Sequence, residues 1–274
     1  MWNAIARGME ILSTDSPLSR WELLSTYGRL KAKRKLAQSS GNVRRVAERI
    51  FGYQVETGDY TTLAYLFEEI FVKQDYHFKA RSTHPRIIDC GSNIGMSVLL
   101  FKTLYPESSI IAFEPDPETF AILQRNVAAN HITGVELHNF ALHSARGNVD
   151  FYYDPEQPAR LRMSTRKERT SQACRKVEAV PLSDYVHGEV DFLKMDIEGA
   201  ELLVLQELGQ SDKLKCIREM VVEYHHHIHP AEDQLSRMLE LLEAHHFGYQ
   251  VHAIAERPFQ KEAFQDILLY AYQR

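Results

Sequence analysis

The chain has few cysteines and no long apolar segment. Three of its 274 residues are cysteines, Cys90, Cys174 and Cys216, and no two of them have the Cys-x-x-Cys spacing of a metal or redox motif. This odd, scattered set argues against a disulfide framework and predicts reduced thiols in a cytoplasmic protein. Residues 1–20 lack the apolar core of a signal peptide, and no apolar run approaches the ~20 residues of a membrane span. We therefore expect neither a leader nor a membrane span.

The chain also lacks an excess of positive charge. Its 32 lysine and arginine residues are outnumbered by 37 aspartate and glutamate residues, which gives a formal net charge of −5. Proteins that bind nucleic acid usually present a basic face, so we expect no nucleic-acid partner. With 44% hydrophobic residues, the chain can form one large globular domain or one domain with an appendage.

Strand-like and helix-like segments alternate from residue 87 onward, a pattern typical of a doubly wound α/β fold with a mostly parallel sheet. The tail differs, because two strand-like runs, 249–254 and 267–272, have no long helix between them. We expect these two strands to be neighbours at the end of the sheet, with one antiparallel to the rest. The other predicted strands are 87–90, 109–114, 135–140, 148–153, 190–197 and 219–224, and the predicted helices are 95–104, 117–130, 199–208 and 230–247.

The first part of the chain has a different pattern. Residues 1–50 are polar with helical spacing, so we assign them to a helical N-terminal extension and residues 51–274 to the α/β domain. Residues 46–55 predict one strand or two short ones, and residues 63–71 predict an amphipathic helix. The polar stretch 155–172 is interpreted as a loop between strands.

A glycine turn follows the first strand of the predicted sheet. Asp89 ends the strand, and Gly91 and Gly95 lie four residues apart, unlike the G-x-G-x-x-G of dinucleotide folds. This pattern suits a ligand without a pyrophosphate, such as S-adenosylmethionine. Asp89 would accept hydrogen bonds from its ammonium group, directly or through water, and N–H groups around Ser92 and Asn93 would face its carboxylate. The alternative is an ordinary strand–turn–helix corner.

The next two predicted strands also end in residues that suit a nucleoside. Glu114, followed by Pro115, lies roughly 20 residues after the glycine turn, where a carboxylate accepts hydrogen bonds from ribose hydroxyls. Asp116 is the better N-cap of the following helix. Phe140 and Ala141 follow the third strand, where backbone groups can recognise the adenine edge. Phe140 either packs on the adenine face or belongs to the core.

An acid-rich segment ends the strand predicted at 190–197. The sequence K-M-D-I-E-G-A-E from residue 194 places a lysine and three acids after apolar residues, which is costly unless they are paired or used. Asp196 would lie at the carboxyl edge of the sheet and take a proton from a hydroxyl group. Glu198 and Glu201 are candidate caps of the next helix, and Glu198 is also a candidate substrate contact.

The following predicted strand ends in E-Y-H-H-H. Strand alternation puts Glu223 and His225 on one face and Tyr224 and His226 on the other. Glu223 and His225 could meet Asp196 as a base relay, a substrate clamp or a divalent-metal site. A metal would need a further ligand that the sequence does not identify, so a metal is open but not predicted. Tyr224 and His226 are candidate substrate contacts.

These segments together resemble the FkbM-type S-adenosylmethionine-dependent methyltransferases. The resemblance rests on the glycine turn, on F-E-P at 113–115, on K-M-D-I-E-G-A-E at 194–201 and on V-E-Y-H at 222–225, and it covers roughly residues 55–255. It implies the class I methyltransferase fold, with a Rossmann-like, seven-stranded, mostly parallel sheet that contains one antiparallel strand.

The resemblance also implies a cofactor and a reaction. S-Adenosylmethionine would be the cofactor, with Asp89, Gly91, Glu114 and Ala141 as contacts and Asp196 near the methyl group. Many members methylate hydroxyls of sugars or natural products, so we expect in-line O-methylation with Asp196 as the base. Other members methylate amide nitrogens of peptides, which keeps a peptide acceptor open.

Several points stay open at the level of sequence. Tyr76 is a candidate substrate contact in a lid, and the arginine-containing stretch 160–166 suits an acidic acceptor or a solvated loop. A nicotinamide-dependent oxidoreductase is a rival class, although the glycine spacing and Asp89 argue against it. A non-catalytic cofactor-binding module is another, although the intact acids argue against it. A homodimer is compatible with the sequence.

Overall fold

The computed structural model describes residues 16–40, 46–154, 163–168, 173–229, 232–253 and 260–274. None of the helices within these ranges is long and apolar enough to cross a membrane. The helices are α1 (Arg20–Ser40), α2 (Tyr60–Phe67), α3 (Met96–Leu104), α4 (Pro117–Ala129), α5 (Glu201–Gln210) and α6 (Leu235–Ala244). The strands are β1 (Val46–Ile50), β2 (Tyr53–Thr57), β3 (Arg86–Cys90), β4 (Ser109–Phe113), β5 (Val135–His138), β6 (Ala141–Leu142), β7 (Gly147–Tyr153), β8 (Ala173–Val180), β9 (Val190–Met195), β10 (Ile217–His226), β11 (Phe247–Ala253) and β12 (Gln265–Gln273).

A seven-stranded sheet forms the centre of the fold, in the order β11-β12-β10-β9-β3-β4-β5. Strand β12 is antiparallel to both of its neighbours, β10 and β11, whereas the pairs from β10 to β5 are all parallel. The predicted α/β class is therefore confirmed, with its single antiparallel strand in this sheet. The two tail strands are neighbours, as expected, and β12 lies between β11 and the parallel strands.

Alternate residues of the same strands belong to two different hydrophobic cores. Ile87 and Phe192 pack in one core with α1, α2, α3 and α4, whereas Ile88 and Leu193 pack in the other with α5 and α6. Because successive side chains of a strand point to opposite faces, the two cores cover the two faces of the sheet. The loops at the carboxyl ends of the parallel strands are thereby held between two packed layers.

The segment before β3 differs in detail from the sequence prediction. Residues 46–55 form two short strands, and β1 and β2 pair as an antiparallel hairpin that spans residue 50. The division of the chain after residue 50 stays a prediction. The helix expected over 63–71 begins as α2 and continues as a π-helical turn, Glu68–Val72. Periodicity could not reveal this turn, because the apolar residues of 63–71 keep the spacing of a regular α-helix through it.

A small three-stranded sheet, β6-β8-β7, lies between the two halves of the chain and was only partly predicted. Strand β8 was missed because it alternates exposed polar residues with few buried ones. Of the predicted loop 155–172, the structure describes 163–168, where Ser164 forms a bridge with Tyr152. The rest of that loop, including residues 160–162 of the arginine-containing stretch, lies outside the described residues.

The last predicted helix is shorter than expected, and the first tail strand is displaced toward the N-terminus, beginning at Phe247 instead of residue 249. The helix predicted from residue 230 begins at Leu235, and residues 230 and 231 lie outside the described residues. Strand β11 ends at Ala253, and residue 254 also lies outside them.

Candidate active site

The glycine turn after β3 is packed tightly against the end of β9. The Asp196 N–H donates to the Cys90 carbonyl at 3.0 Å, which extends the pairing of the two strands into the turn. Gly91 has a φ of +83°, and a Cβ at this position would lie 1.8 Å from the Asp196 carbonyl oxygen. Gly95 has a φ of +93°, and its Cβ would lie 2.7 Å from Leu123 Cδ1. Both positions therefore require glycine.

A cleft of about 330 Å³ opens beyond the carboxyl ends of the parallel strands, between this turn and the elements that follow β9 and β10. This is the edge at which open α/β sheets bind ligands. The residues predicted from sequence that line it are Tyr76, Gly91, Ser92, Asn93, Glu114, Pro115, Phe140, Ala141, Asp196, Glu198 and Glu223.

Glu114 is a buried carboxyl group that lines the cleft. Its Oε2 accepts a hydrogen bond from the Asn93 N–H at 3.0 Å, and its Oε1 accepts one from the Asp116 N–H at 2.9 Å. Burial raises the pKa of Glu114 to about 8. Asp116 in turn accepts from the Thr119 N–H at 3.0 Å, which confirms it as the N-cap of α4. The acid at the end of β4 and the helix cap are thus two different residues.

Asp89 and Gly95 support the turn without lining the cleft. Asp89 is fully buried, and its Oδ2 accepts a hydrogen bond from Ser97 Oγ at 2.5 Å. Its Oδ1 lies 3.4 Å from Lys194 Nζ. Gly95 is the N-cap of α3. The side chain of Asp89 therefore braces the turn from beneath, and its expected contact with a ligand stays a prediction.

Lys194 is a buried cation at the centre of the site that the sequence analysis left without a role. Its ammonium group donates to the Gly91 carbonyl, lies 3.7 Å from Asp196 Oδ2 and sits 5.1 Å from the ring centroid of Tyr76. Burial lowers its pKa, but the carboxylates of Asp89 and Asp196 outweigh burial, and the pKa is raised. A lysine within the apolar strand β9 was the available signal.

Three predicted residues converge on the far side of the cleft. The Tyr76 hydroxyl lies 3.1 Å from Glu223 Oε2 and 3.3 Å from Asp196 Oδ2. Burial, reinforced by the nearby Asp196, raises the pKa of Glu223 well above its ordinary value. A carboxyl group with a raised pKa holds a proton at a pH where Asp and Glu are usually ionised, so Glu223 can donate a hydrogen bond.

His225 lies behind these groups and does not line the cleft. Its Nδ1 is 2.9 Å from Glu201 Oε1. Its Nε2 is 3.3 Å from Glu198 Oε2, 3.8 Å from Asp196 Oδ1 and 3.9 Å from Asp266 Oδ1. Burial lowers the pKa of His225, but Glu201 and Glu198 outweigh burial, so the pKa is raised well above the ordinary value.

Glu201 has the structural role expected of it. As the first residue of α5, it accepts hydrogen bonds at Oε1 from the Gly199 N–H at 2.9 Å and the Ile197 N–H at 3.3 Å. The same carboxylate orients His225, so one buried acid fixes both the start of the helix and the imidazole ring.

Tyr224 and His226 point to the other face of β10, as strand alternation predicted. Tyr224 is buried in the core that contains α5 and α6, and the His226 ring stacks on His227 with centroids 3.8 Å apart. Neither lines the cleft, and their substrate role stays a prediction. Met163 and Thr165, from the stretch 160–166 that was considered for an acidic acceptor, line the cleft. Sequence reasoning missed other cleft residues, because they come together only in three dimensions; these are Tyr65, Leu66, Phe151, Phe264 and Asp266.

Comparison with known proteins agrees with this arrangement. The family model described as "Methyltransferase FkbM domain" matches residues 89–251, which is more than half of the chain. Methyltransferase sdnD of Sordaria araneosa is 31% identical over 191 residues, which cover 58% of this chain and 73% of that protein.

The names of two further relatives state their substrates. Hexuronic acid methyltransferase AglP of Haloferax volcanii is 28% identical over 148 residues, which cover 53% of this chain and 57% of that protein. 31-O-demethyl-FK506 methyltransferase FkbM of Streptomyces tacrolimicus is 26% identical over 238 residues, which cover 70% of this chain and 89% of that protein. The match to the family, the sheet order and the glycine turn lead to one conclusion: this chain belongs to the FkbM methyltransferase family and is an S-adenosylmethionine-dependent methyltransferase.

Proposed function

We propose that the protein methylates a hydroxyl group of a sugar or natural product and that Asp196 takes the hydroxyl proton. The observation that carries this proposal is the position of Asp196. Its carboxylate lines the cleft beside the glycine turn, with its side chain 26% exposed. S-Adenosylmethionine supplies an electrophilic methyl group when it is bound. The residues of the chain bind both reactants, orient them and accept the proton.

The residues around the glycine turn fit this cofactor. The buried Glu114 carboxyl group faces the cleft and suits the two ribose hydroxyls. A side chain at position 91 would clash with Asp196. Because Gly91 has none, the backbone of the turn is free to approach a ligand. Phe140 and Ala141 line the cleft beyond Glu114, where the adenine is expected.

Asp196 is placed to act on the acceptor. Its Oδ2 is directed toward Tyr76 and Lys194, and Lys194 balances its charge. The positive charge of the sulfonium disappears during methyl transfer. A carboxylate that stabilised this charge would slow the reaction, so Asp196 must act on the acceptor oxygen. Glu223, protonated because of its raised pKa, would donate a hydrogen bond that orients the acceptor.

The names of two relatives support oxygen as the methyl acceptor. One acts on a hexuronic acid, and the other on 31-O-demethyl-FK506, whose name specifies an oxygen. The carboxylate in the cleft agrees with this, since it can accept the proton that a hydroxyl releases on methylation.

The acceptor class is tested by incubating the full chain with S-adenosylmethionine labelled in its methyl group. The panel contains neutral sugars, uronic acids, macrocyclic polyketides with free hydroxyls, and peptides, and mass spectrometry and NMR locate the label. We expect O-methylated sugar or polyketide products. Label on peptide nitrogen alone would overturn the proposal.

The role of Asp196 is tested with Asp196→Asn. We expect methyl transfer to fall by about 10²–10⁴-fold, because the proton acceptor is lost, while affinity for S-adenosylhomocysteine stays within about threefold. Asp212→Asn is the matched control, because Asp212 is exposed and pairs with Lys215 away from the cleft. Full activity of Asp196→Asn would remove Asp196 as the base.

A further inference from the structure

His225 joins three segments of the protein behind the proposed acceptor side of the cleft. Its Nδ1 lies 2.9 Å from Glu201 Oε1 at the start of α5, and its Nε2 lies 3.3 Å from Glu198 Oε2 in the loop after β9. Asp196 Oδ1, at the start of that loop, lies 3.8 Å from the same Nε2. The His225 side chain is 2% exposed and does not line the cleft. It can therefore influence the reaction only through a neighbouring residue.

The contacts of the two ring nitrogens favour a proton on each of them. Burial raises the pKa of Glu201, but His225 and the Gly199 N–H outweigh burial, so the pKa is lowered. An ionised carboxylate can only accept hydrogen bonds, so Nδ1 must be the donor to Glu201. Nε2 also faces carboxylate oxygens, which a lone pair on this nitrogen would repel. The geometry therefore indicates an imidazolium ion.

The charge around His225 favours the same protonation state. The ionisable groups that face the ring come from α5, from the loop after β9, from β12 and from its own strand; they are Glu201, Asp196, Glu198, Asp266 and Glu223. Burial lowers the pKa of His225, but Glu201 and Glu198 outweigh burial and raise it well above the ordinary value. A positive charge among these acids offsets their mutual repulsion.

Asp196 lies between two buried basic side chains. Its Oδ1 faces His225 Nε2 at 3.8 Å, and its Oδ2 lies 3.7 Å from Lys194 Nζ. In the loop that follows, Glu198 has a φ of +54°, which is unfavourable for a residue other than glycine. Such a conformation persists only where the surrounding contacts hold it. The pairing of His225 with both Asp196 and Glu198 is one restraint of this kind.

We propose that His225 is a positioning residue that stays protonated throughout turnover and holds Asp196 in place. Its positive charge attracts Asp196 Oδ1 and the Glu198 carboxylate, which leaves Asp196 Oδ2 directed toward the acceptor. This inference rests on the proposed function, in which the acceptor proton goes to Asp196. It differs from the base relay considered from the sequence, because His225 in a relay would take up that proton.

The charge of His225 is tested by long-range ¹H–¹⁵N NMR of the full chain as the pH is raised from 6 to 9.5. We expect both ring nitrogens to be protonated at pH 8, where an ordinary histidine with a pKa of about 6.5 is neutral. The signal is assigned by its disappearance in His225→Gln. A neutral His225 ring at pH 8 would overturn the inference.

Glu201→Gln removes the nearest negative charge but keeps an oxygen that can accept hydrogen bonds at the start of α5. The titration midpoint of His225 should fall by about 1–3 pH units, because an opposite charge at this distance favours the imidazolium by about that much. The positive charge is lost as pH rises through the pKa of His225. The decrease of kcat at alkaline pH should therefore also move to lower pH.

A different group would move this decrease in another direction. The charge of His225 lowers the pKa of Glu223. If ionisation of Glu223 caused the alkaline decrease, a neutral His225 would raise the pKa of Glu223 and move the decrease to higher pH. A kcat profile of Glu201→Gln that is unchanged or moves upward would overturn the inference.

Glu207→Gln is the matched control. Glu207 lies on the same helix, is buried and accepts a hydrogen bond from the Ser183 N–H, away from His225. This substitution should leave the titration of His225 unchanged. If His225→Gln does not fold, the histidine signal that shifts in Glu201→Gln and not in Glu207→Gln provides the assignment. Far-UV circular dichroism checks the fold of each variant.

Turnover tests whether His225 acts through Asp196. His225→Gln should lower kcat by about 10–100-fold, since a displacement of about 1 Å at a reacting group can cost this much, with the acceptor KM within about threefold. Added to Asp196→Asn, it should change kcat by less than about threefold, because its route of action is already removed. An unaltered kcat in His225→Gln, or an equal loss in both backgrounds, would overturn the inference.

The NMR result separates this inference from the proposed function. A protonated His225 at pH 8, together with full activity of Asp196→Asn, would refute the proposed function while the pairing of His225 with Asp196 stands. A neutral His225 at pH 8, together with loss of activity in Asp196→Asn, would refute the inference and leave the proposed function in place.

Discussion

The two halves of the cleft are built in different ways. In the proposed function, the cofactor half of the cleft uses strand ends and turns that follow one another along the chain, namely the glycine turn, Glu114 and the segment around Phe140. The proposed acceptor half uses side chains from α2, β9, β10 and β12, which are far apart in sequence. A shared cofactor can therefore be recognised from local motifs, whereas the acceptor is defined by tertiary contacts. Four variants test how independent the two halves are.

Gly91→Ala should have the largest effect, because Gly91 lies where the two halves of the cleft are in contact. A Cβ would lie 1.8 Å from the Asp196 carbonyl oxygen, and the φ of +83° is itself unfavourable for alanine. We expect a loss of more than about 4 kcal/mol in the free energy of unfolding and no binding of S-adenosylhomocysteine. Urea denaturation and calorimetry measure the two effects.

Gly28→Ala is the control for this substitution. Gly28 lies within α1, and a Cβ there meets nothing within 4 Å. Alanine at this position should stabilise the helix by about 1 kcal/mol. A folded Gly91→Ala variant with normal cofactor binding would show that the turn and Asp196 are not in such close contact.

Lys194→Met should affect both halves at once. It leaves Asp89 and Asp196 without their buried counter-charge, so we expect a loss of about 3–4 kcal/mol in the free energy of unfolding. At a low temperature, at which Lys194→Met remains folded, both its affinity for the cofactor and its turnover should be lower than those of the wild type. Lys215→Met, which removes an exposed lysine paired with Asp212, should leave both unchanged. Unaltered cofactor affinity in Lys194→Met would mean that the two halves are uncoupled.

Glu114 should give the cofactor half a pH dependence of its own. Burial raises its pKa to about 8, so in the free protein the carboxyl group is protonated below that pH. Ribose hydroxyls donate best to the ionised form, so affinity for S-adenosylhomocysteine should rise as pH increases from 6 to 8. The limit is about tenfold per pH unit, and the rise should level off above pH 8. Calorimetry across this range should show that Glu114→Gln binds S-adenosylhomocysteine more weakly and with an affinity that does not change with pH. An unchanged slope in that variant would assign the titration to another group.

Tyr65→Phe should have the smallest effect and should concern the acceptor alone. Tyr65 lines the cleft and is exposed there, so its hydroxyl can reach an acceptor. Removing the hydroxyl should change the acceptor KM by about two- to fivefold, as expected for one hydrogen bond, and leave cofactor affinity unaltered. Tyr249→Phe is matched, because its hydroxyl donates to Glu243 at a remote surface. A larger effect on the cofactor than on the acceptor would contradict the division into halves.

The same division explains how much could be predicted from sequence. The order of the elements other than β8, the glycine turn, Glu114, the Asp116 cap and the alternation of β10 all rest on local patterns, and the structure contains each of them. Lys194 was visible as a buried charge, but its partners were not. Asp266 was missed because its register opposite His225 follows from the placement of β12, which no local pattern encodes.

Some elements were missed or given wrong bounds, and the reasons are local. The polar alternation of β8 weakened its strand signal, and the π-helical turn after α2 kept the apolar spacing of a regular helix. Tyr224 and His226 show a different limit. Their orientation was predicted from alternation, but their proposed substrate role depends on which face the cleft occupies.

The π-helical turn Glu68–Val72 has a consequence for how this fold can change its acceptor. Leu66 before it and Glu69 and Ile70 within it all line the cleft. A π turn differs from an α-helical turn by one added residue, so deleting one residue would restore a regular helix. Because the added residue is accommodated within the π turn, the residues on either side of the deletion would keep their orientation. A single-codon deletion could thus change the cleft lining at Glu69 and Ile70 while α2 stays packed on the core.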